Sequence, residues 1–517
     1  MRPVLQPLPF ITLSQPIRHM TPRLARRCSI SPLLLVAIIA LSSCRTAGTA
    51  TAPGAQVPSP AIAFTPSARQ LALADTVAER TFRWFWETTD STTGLAHDRW
   101  PQRDFSSVAS IGFALTAYPI GAERGWITRL QAARRTLVTL RYLWALPQGP
   151  DSANMGGHKG FFYHFLRYED GRRFKDVELS TIDTSLLLGG ALFAQSYYTG
   201  SDSTEVAIRA VADSIYRRVD WRWAMARPPR VSMGWKPESG FIPADWKGYN
   251  EAMLLYILAL GSPTFPLDAE SWRVWSSTNN WRQYRGQHHV NFTPLFGHQY
   301  SHVWIDFRGI HDVWIREKGI DWFENSRRAT LSQRQYAIDN PKRFIGYASD
   351  VWGLTASDGP LDTLVTWQGK PLQVHTYWAR GASAFDDADG DERDDGTIAP
   401  TAALGSMPFA PEVVFPAMVA MRERYPAVFT QYGFRDSFNP SMAILPRVLM
   451  GRIEPDVGWV ARDHLGIDQG PIIAMLENHR SALVWKTMQR NPYIVAGLRR
   501  AGFAGGWLDD MKVTVPR

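Results

Sequence analysis

Apolar residues recur at helical spacing along most of the chain from about Ala68 onward. Leu71, Ala74, Ala78, Phe82 and Phe85 mark one stripe, and Leu130, Ala133, Leu137, Leu140 and Trp144 mark another. This spacing predicts two amphipathic helices, each with one face on a core. Three further segments, Ile182 to Tyr198, Ala252 to Leu260 and Val413 to Ala420, are apolar almost all round, and a helix of that kind is buried on every side. Amphipathic helices ringed around apolar ones are the pattern of an all-α (α/α)6 barrel, with about ten to twelve helices in the region from Ala68 to the end. A helical solenoid would repeat at a fixed period of about 34 or 40 residues, and no such repeat is present. Ala226 to Tyr249, Pro263 to Ile305 and Ser357 to Pro411 read as long connections rich in Gly, Pro, Trp and Asp. Long loops on a compact domain commonly carry function. Within them Val231 to Gly234 and Leu372 to Trp378 read as short strands, so minor β content is expected.

The start of the chain follows different rules. Arg23, Arg26 and Arg27 precede an apolar run from Pro32 to Leu41, then Ser42, Ser43 and Cys44. A basic segment, a short apolar run and small residues make up a secretory signal, and the run is about half of what spans a bilayer. A Cys after small residues resembles the lipobox of bacterial lipoproteins. Residues 1–43 are therefore expected to be a signal peptide, with Cys44 the lipidated new N-terminus and residues 44–67 a flexible Ala/Thr/Pro/Gly/Ser tether. A single domain is expected over residues 68–517, exported to the periplasm or outer membrane and touching a membrane only through its lipid. Cys28 would leave with the leader, so no internal disulfide is expected and stability rests on core burial.

Composition narrows the partners. The 517 residues carry a net charge of +8, but five Arg and no acidic residue precede Cys44, so the remainder carries only +3. A nucleic-acid partner would need Lys and Arg clustered along one face and is not expected. Twenty-one Trp, 17 Tyr and 25 Phe exceed what packing requires, and a flat ring with a polar edge suits the face of a sugar. Trp84, Trp86, Trp235, Trp246, Trp281, Trp304 and Trp352 are the candidates. Nothing in the chain demands more than a monomer.

Two carboxylate constellations stand at predicted helix starts. In Glu178-Leu179-Ser180-Thr181-Ile182-Asp183, Ser180 or Thr181 can cap, and acids near free backbone amides have a structural use. Asp183, however, falls in the first turn of a helix with no other reason to bury a charge. In Asp245-Trp246-Lys247-Gly248-Tyr249-Asn250-Glu251, Glu251 is followed by nine apolar residues. Desolvation there raises a carboxyl pKa toward what a general acid needs near neutral pH; the alternative is a capping Glu whose head reaches water. Asp468, in Ile467-Asp468-Gln469-Gly470-Pro471, begins another helix and is either a cap or a second acid. His298 and His302 are spaced i, i+4, a potential metal pair, but no third ligand has recognised spacing, so hydrogen bonding at a cleft is the preferred role. Residues 386–395 contain seven acids. Glu392 replaces the Gly a calcium loop requires, so this run reads as a solvated like-charged loop, with calcium as the alternative. No other cofactor is expected.

The stretches Ser180 to Thr184 (STIDT), Tyr249 to Pro263 (YNEAMLLYILALGSP), His298 to Gly309 (HQYSHVWIDFRG), Gly396 to Glu412 (GTIAPTAALGSMPFAPE) and Tyr432 to Pro440 (YGFRDSFNP) resemble the glucoamylase-like domain. Within it they are most similar to glycoside hydrolase family 144, the bacterial β-1,2-glucanases. The resemblance covers nearly everything from Ala68 to Ala504. It implies an (α/α)6 barrel hydrolysing β-1,2-glucan with inversion, Glu251 as general acid and Asp436 as general base acting through a relay. Asp183 would lie in the cleft, with Glu178, Tyr249, Trp246, His298, His302 and Asp468 as further substrate-binding positions, and Asp468 is a rival base. The alternatives are a non-catalytic glycan-binding lipoprotein and a related glycosidase of different linkage or exo mode.

Overall fold

The computed structural model describes residues 64–384 and 391–511. The expected signal peptide, Cys44 and most of the tether lie outside the described residues, as does the start of the acidic run. Chain contacts separate Met1–Phe64 from one compact unit, Thr65–Arg517.

Within that unit the helices are α1 (Ala68–Thr88), α2 (Val108–Glu123), α3 (Arg129–Ala145), α4 (Thr181–Tyr197), α5 (Ser203–Arg218), α6 (Ala252–Gly261), α7 (Ala269–Ser276) and α8 (Tyr300–Trp304). They continue as α9 (Val313–Arg316), α10 (Trp322–Asp339), α11 (Pro400–Leu404), α12 (Pro411–Arg424), α13 (Gly466–Ser481), α14 (Leu483–Met488), α15 (Pro492–Arg500) and α16 (Gly506–Asp510). There are more of them than the pattern suggested because several are single turns, too short to show a period.

Two classes of helix follow from local sequence. In α1 and α3, Ser67 with Gln70 and Thr128 with Gln131 form reciprocal capping boxes, and only one face is buried. In α6 every residue is buried, and α2 and α4 are nearly so. The apolar helices are neighbours: α2 packs on α4 and α13, α4 on α6, α6 and α13 on α8, and α11 on α13. The amphipathic ones cover them, α3 and α5 against α2 and α4, α15 against α6, α12 against α11, and α1 against α2 and α13. The α2–α4 approach depends on glycine, since a Cβ at Gly190 would lie 2.0 Å from the Gly112 carbonyl oxygen.

Several expectations need correction. Leu71, Leu130 and Trp144 are exposed, because the ends of α1 and α3 overhang the core. The segment Val413 to Ala420 is not buried all round: Val413, Pro416 and Val419 of α12 are half-buried, as suits a covering helix. Pro263 to Ile305 is no plain loop. It holds α7, a hairpin of Trp281–Tyr284 with Gln287–Val290, and all of α8.

Strands are short and lie in the connections. Leu179–Ser180 pairs with Gly234–Lys236, Ala356–Ser357 with Trp378–Ala379, and Thr363–Trp367 with Lys370–Val374. The first two pairs tie long loops to the starts of chain segments that carry acidic residues. No described helix is long and apolar enough to cross a membrane.

Candidate active site

Three of the buried helices begin at one place, and each brings a carboxylate. Asp183 stands in the first turn of α4, Glu251 directly precedes α6, and Asp468 stands in the first turn of α13.

Asp183 is buried and fixed by its own turn. Ser180 Oγ donates to Asp183 Oδ2 at 2.5 Å, and the Asp183 amide donates back to Ser180 Oγ at 3.2 Å. His164 bridges two acids, with Nδ1 2.8 Å from Glu178 Oε1 and Nε2 3.5 Å from Asp183 Oδ2. Burial alone would lower the imidazole, but the carboxylates of Asp183 and Glu178 push it up to about 9, so at neutral pH it is a cation held between them. Burial also raises Glu178, but the His164 cation outweighs it and the carboxyl lies below its ordinary range. Asp183 stays raised by burial despite His164 and Ser180.

Glu251 caps nothing. Asn250 Oδ1 accepts from the Ala252 amide at 3.1 Å, whereas the Glu251 side chain makes no capping bond and its buried Oε2 has no partner. Burial, reinforced by the charge of Asp183 and opposed by its own backbone amide, pushes its carboxyl up to about 7. The residue is pinned through its backbone: Ser301 Oγ of α8 donates to the Glu251 carbonyl at 3.1 Å and accepts from the Leu254 amide at 3.0 Å.

A second acidic group forms where loops meet α13. Asp436 Oδ2 accepts from the Asp358 amide at 2.6 Å and from Ser437 Oγ at 3.1 Å. Arg99 Nη1 lies 3.1 and 3.0 Å from the two Asp358 carboxylate oxygens, and its Nε donates to Asp98 at 3.1 Å. Asp358 is nonetheless raised to about 7, by burial first, with Arg99 opposing and Asp436 and Asp463 adding. Gln469 Nε2 donates to the Phe434 carbonyl at 3.0 Å, which brings Asp468 beside Asp436, and each carboxyl perturbs the other, so the two acids that the sequence offered as rivals share one corner. Tyr300 and Tyr377 connect the groups. Burial and then Asp468, Tyr377, Glu251 and Asp183 raise the Tyr300 hydroxyl; burial and then Asp468, Asp436, Asp98 and Asp358 raise that of Tyr377.

The other candidate residues serve packing. His302 is buried among Phe307, Phe323 and Phe409, with Nε2 3.0 Å from Ser326 Oγ, and burial lowers it to about 3. His298 is buried with Nε2 3.2 Å from the Phe292 carbonyl oxygen. The two are not on one helix, since His298 ends a 3-10 turn and His302 belongs to α8. Among the described residues no group of three or more His, Cys, Asp and Glu side chains is arranged to hold a metal. Tyr249 is buried and stacks on Trp322 at 5.0 Å. Trp246, only 5% exposed, donates from Nε1 to Thr181 Oγ1 at 2.9 Å; it braces the start of α4 and presents no free face for stacking. Trp84, Trp304 and Trp352 are fully buried, while Trp86, Trp235 and Trp281 remain partly exposed. His164, Asp98, Arg99, Asp358, Tyr300 and Tyr377 were not read from the sequence. They sit in loops, a two-residue strand or a one-turn helix, and no spacing marks them.

The end of the acidic run is structural rather than solvated. Asp395 lies fully buried against Arg380, with Nε–Oδ1 2.7 Å and Nη2–Oδ2 2.8 Å, and Arg380 Nη1 also donates to the Ser357 carbonyl at 2.6 Å. Asn439 Nδ2 donates to the Asp395 carbonyl at 3.0 Å. This pair joins the segments that present Asp358 and Asp436. Breaking a buried pair from one side leaves an uncompensated charge, so Arg380→Ala should lose about 3–5 kcal/mol, read as a lower denaturation midpoint with unchanged m-value.

Comparison with known proteins places the chain among relatives. The glycoamylase family model matches residues 243–492. A Bacteroides uniformis structure described as a candidate glucoamylase is 31% identical at a TM-score of 0.72, covering 86% of this chain and 100% of its own. An endo-β-1,2-glucanase from Chitinophaga pinensis, solved with sophorotriose and glucose, is 28% identical at a TM-score of 0.72, covering 85% of this chain and 99% of its own. An exo β-1,2-glucooligosaccharide sophorohydrolase (non-reducing end) from Parabacteroides distasonis is 28% identical over 466 residues, covering 83% of this chain. This chain spans 57% of the length of that curated relative. The helix-rich fold, with its carboxylates at buried helix starts, is that of a glycosidase-type domain. The chain belongs to the glucoamylase-like family.

Proposed function

We propose that this protein is a glycoside hydrolase that cleaves β-1,2-glucan by an inverting acid/base mechanism. The observation that carries the proposal is the Glu251 carboxyl: buried, without a partner for Oε2, and raised to about 7, it keeps a transferable proton up to near-neutral pH, and Tyr300 lies between it and a second acidic group. Glu251 would protonate the leaving glycosidic oxygen. Asp436 would withdraw a proton from water through a relay, and Asp183 with the His164–Glu178 pair would hold sugar hydroxyls in the cleft. In inverting enzymes the two carboxyls stand about 6.5–9.5 Å apart to admit a water. The architecture that goes with this reading is an (α/α)6 barrel, and the neighbour relations of α2, α4, α6, α8, α11 and α13 support it. An exported, Cys44-lipidated, monomeric enzyme in the periplasm or outer membrane, working without a cofactor, completes the proposal.

Both an exo sophorohydrolase and an endo-β-1,2-glucanase are similar to this chain, so β-1,2 linkage is common to them and cleavage mode is not. The test is reducing-end release from linear and cyclic β-1,2-glucan beside starch, laminarin and cellulose. Release from β-1,2-glucan alone is expected, with product sizes reporting the mode, and NMR of a fresh digest should show the inverted α-anomer first. A glycan-binding lipoprotein would release nothing from any of them.

A further inference from the structure

Asp436 and Asp468 pose a hydrogen-bonding problem that a shared proton solves. Both carboxyls are buried, and each has an oxygen without a donor, Oδ1 of Asp436 and Oδ2 of Asp468. They are held together by their flanks: Gln469 Nε2 donates to the Phe434 carbonyl at 3.0 Å, and Thr401 Oγ1 donates to the Asp468 carbonyl at 2.8 Å. Two ionised carboxylates cannot satisfy each other, because both are acceptors only. One proton between them satisfies both orphaned oxygens at once.

We infer that Asp468 is the protonated partner that donates to Asp436 Oδ1 and thereby keeps Asp436 ionised and aimed. Asp468 is then a positioning residue, neither the base nor a sugar ligand. The inference rests on Asp436 being the base.

The surroundings decide which partner keeps the proton. Asp436 already receives the Asp358 amide on Oδ2, together with a share of the Ser437 hydroxyl proton, whose shorter bond goes to the Asp358 carbonyl, and donors to an ionised carboxylate favour the ionised form. No hydrogen bond reaches the orphaned oxygen of Asp468 from any other described group. The charged and titratable groups facing the pair are Asp358, Asp98 and Asp463, with Tyr300 and Tyr377. Arg99 and Arg380 also face it, on the Asp436 side, the first paired with Asp358 and Asp98 and the second with Asp395. This crowd of acids disfavours a second negative charge. Burial, the Asp436 charge and the bond it donates accordingly hold Asp468 well above the carboxylate range; burial raises Asp436 too, but there the bond from Asp468, the Asp358 amide and Arg99 oppose it.

The test compares two variants in the full chain. Asp468→Asn keeps a donor of the same shape; it should retain kcat within about threefold, with the acid limb of the pH profile unmoved. Asp468→Ala removes the donor; the acid limb should move up by about one pH unit or more, losing about tenfold in rate per unit on that limb, with KM little changed. Carbon-13 titration of Asp-labelled protein should show one protonated Asp carboxyl fewer at pH 7 in Asp468→Asn than in the wild type, a readout that needs no activity and stands even if the Ala variant fails to fold. An unmoved acid limb in Asp468→Ala, an Asn variant as impaired as the Ala variant, or an unchanged count of protonated Asp carboxyls would each overturn the inference. Wild-type turnover in Asp436→Asn would instead overturn the underlying assignment of the base.

Discussion

Glu251→Gln should lower kcat on β-1,2-glucan by about 10²- to 10⁴-fold, the range associated with losing a general acid, while oligosaccharide affinity changes little. Gln fills the same volume at the start of α6, and the backbone contacts through Ser301 do not involve the side chain. Only the transferable proton is lost. In the wild type, activity should fall as pH rises through about 7, where Glu251 ionises, and this alkaline limb should be missing from the residual activity of the variant. The same group affects stability. Its folded pKa is raised from an ordinary 4.5, so it is neutral in both states below that value and penalises the folded state increasingly as pH climbs from 4.5 to about 7. The stability of Glu251→Gln relative to the wild type should therefore improve across that window, as thermal denaturation at several pH values would reveal. Undiminished turnover in the variant would refute the assignment.

Asp436→Asn should be comparably damaging, with a loss of about 10²- to 10⁴-fold in kcat and near-normal binding. The amide retains an oxygen to accept from the Asp358 amide and the Ser437 hydroxyl, so the corner should hold its shape while losing a base. Steady-state kinetics with oligosaccharide and a binding isotherm separate the two effects. If Asp183 were the base instead, the Asn variant at position 436 would keep its turnover and Asp183→Asn would abolish it.

What could be read from the chain alone follows the physics of each element. Helices α4 and α6 were legible because burial on all sides leaves an unbroken apolar run, and a carboxylate at the head of such a run stands out as an anomaly. Asp183 and Glu251 stood out for that reason. The second acidic group was legible only as separate parts. Asp98, Arg99, Asp358, Asp436 and Asp468 come from four distant segments, and what joins them is tertiary: the Arg99–Asp358 ion pair, the Asp358 amide on Asp436, and the buried Arg380–Asp395 clamp behind. No local period encodes such a meeting. His298 and His302 misled for the opposite reason, since a spacing that suits a helical ligand pair fell across the junction of two short turns and served packing. Trp246 belongs with them: an aromatic near the site, occupied in holding up Thr181.

Asp183, Glu251 and Asp468 all stand where buried helices begin, and the peptide dipoles of those helices sum to about half a positive charge at each such end. The charge of these acids is thus countered in part by main chain, beside the side-chain cations Arg99, His164 and Arg380. Compensation of that kind is dispersed and cannot be removed by substituting a side chain. That share of the acidity could be retuned only by shifting a helix.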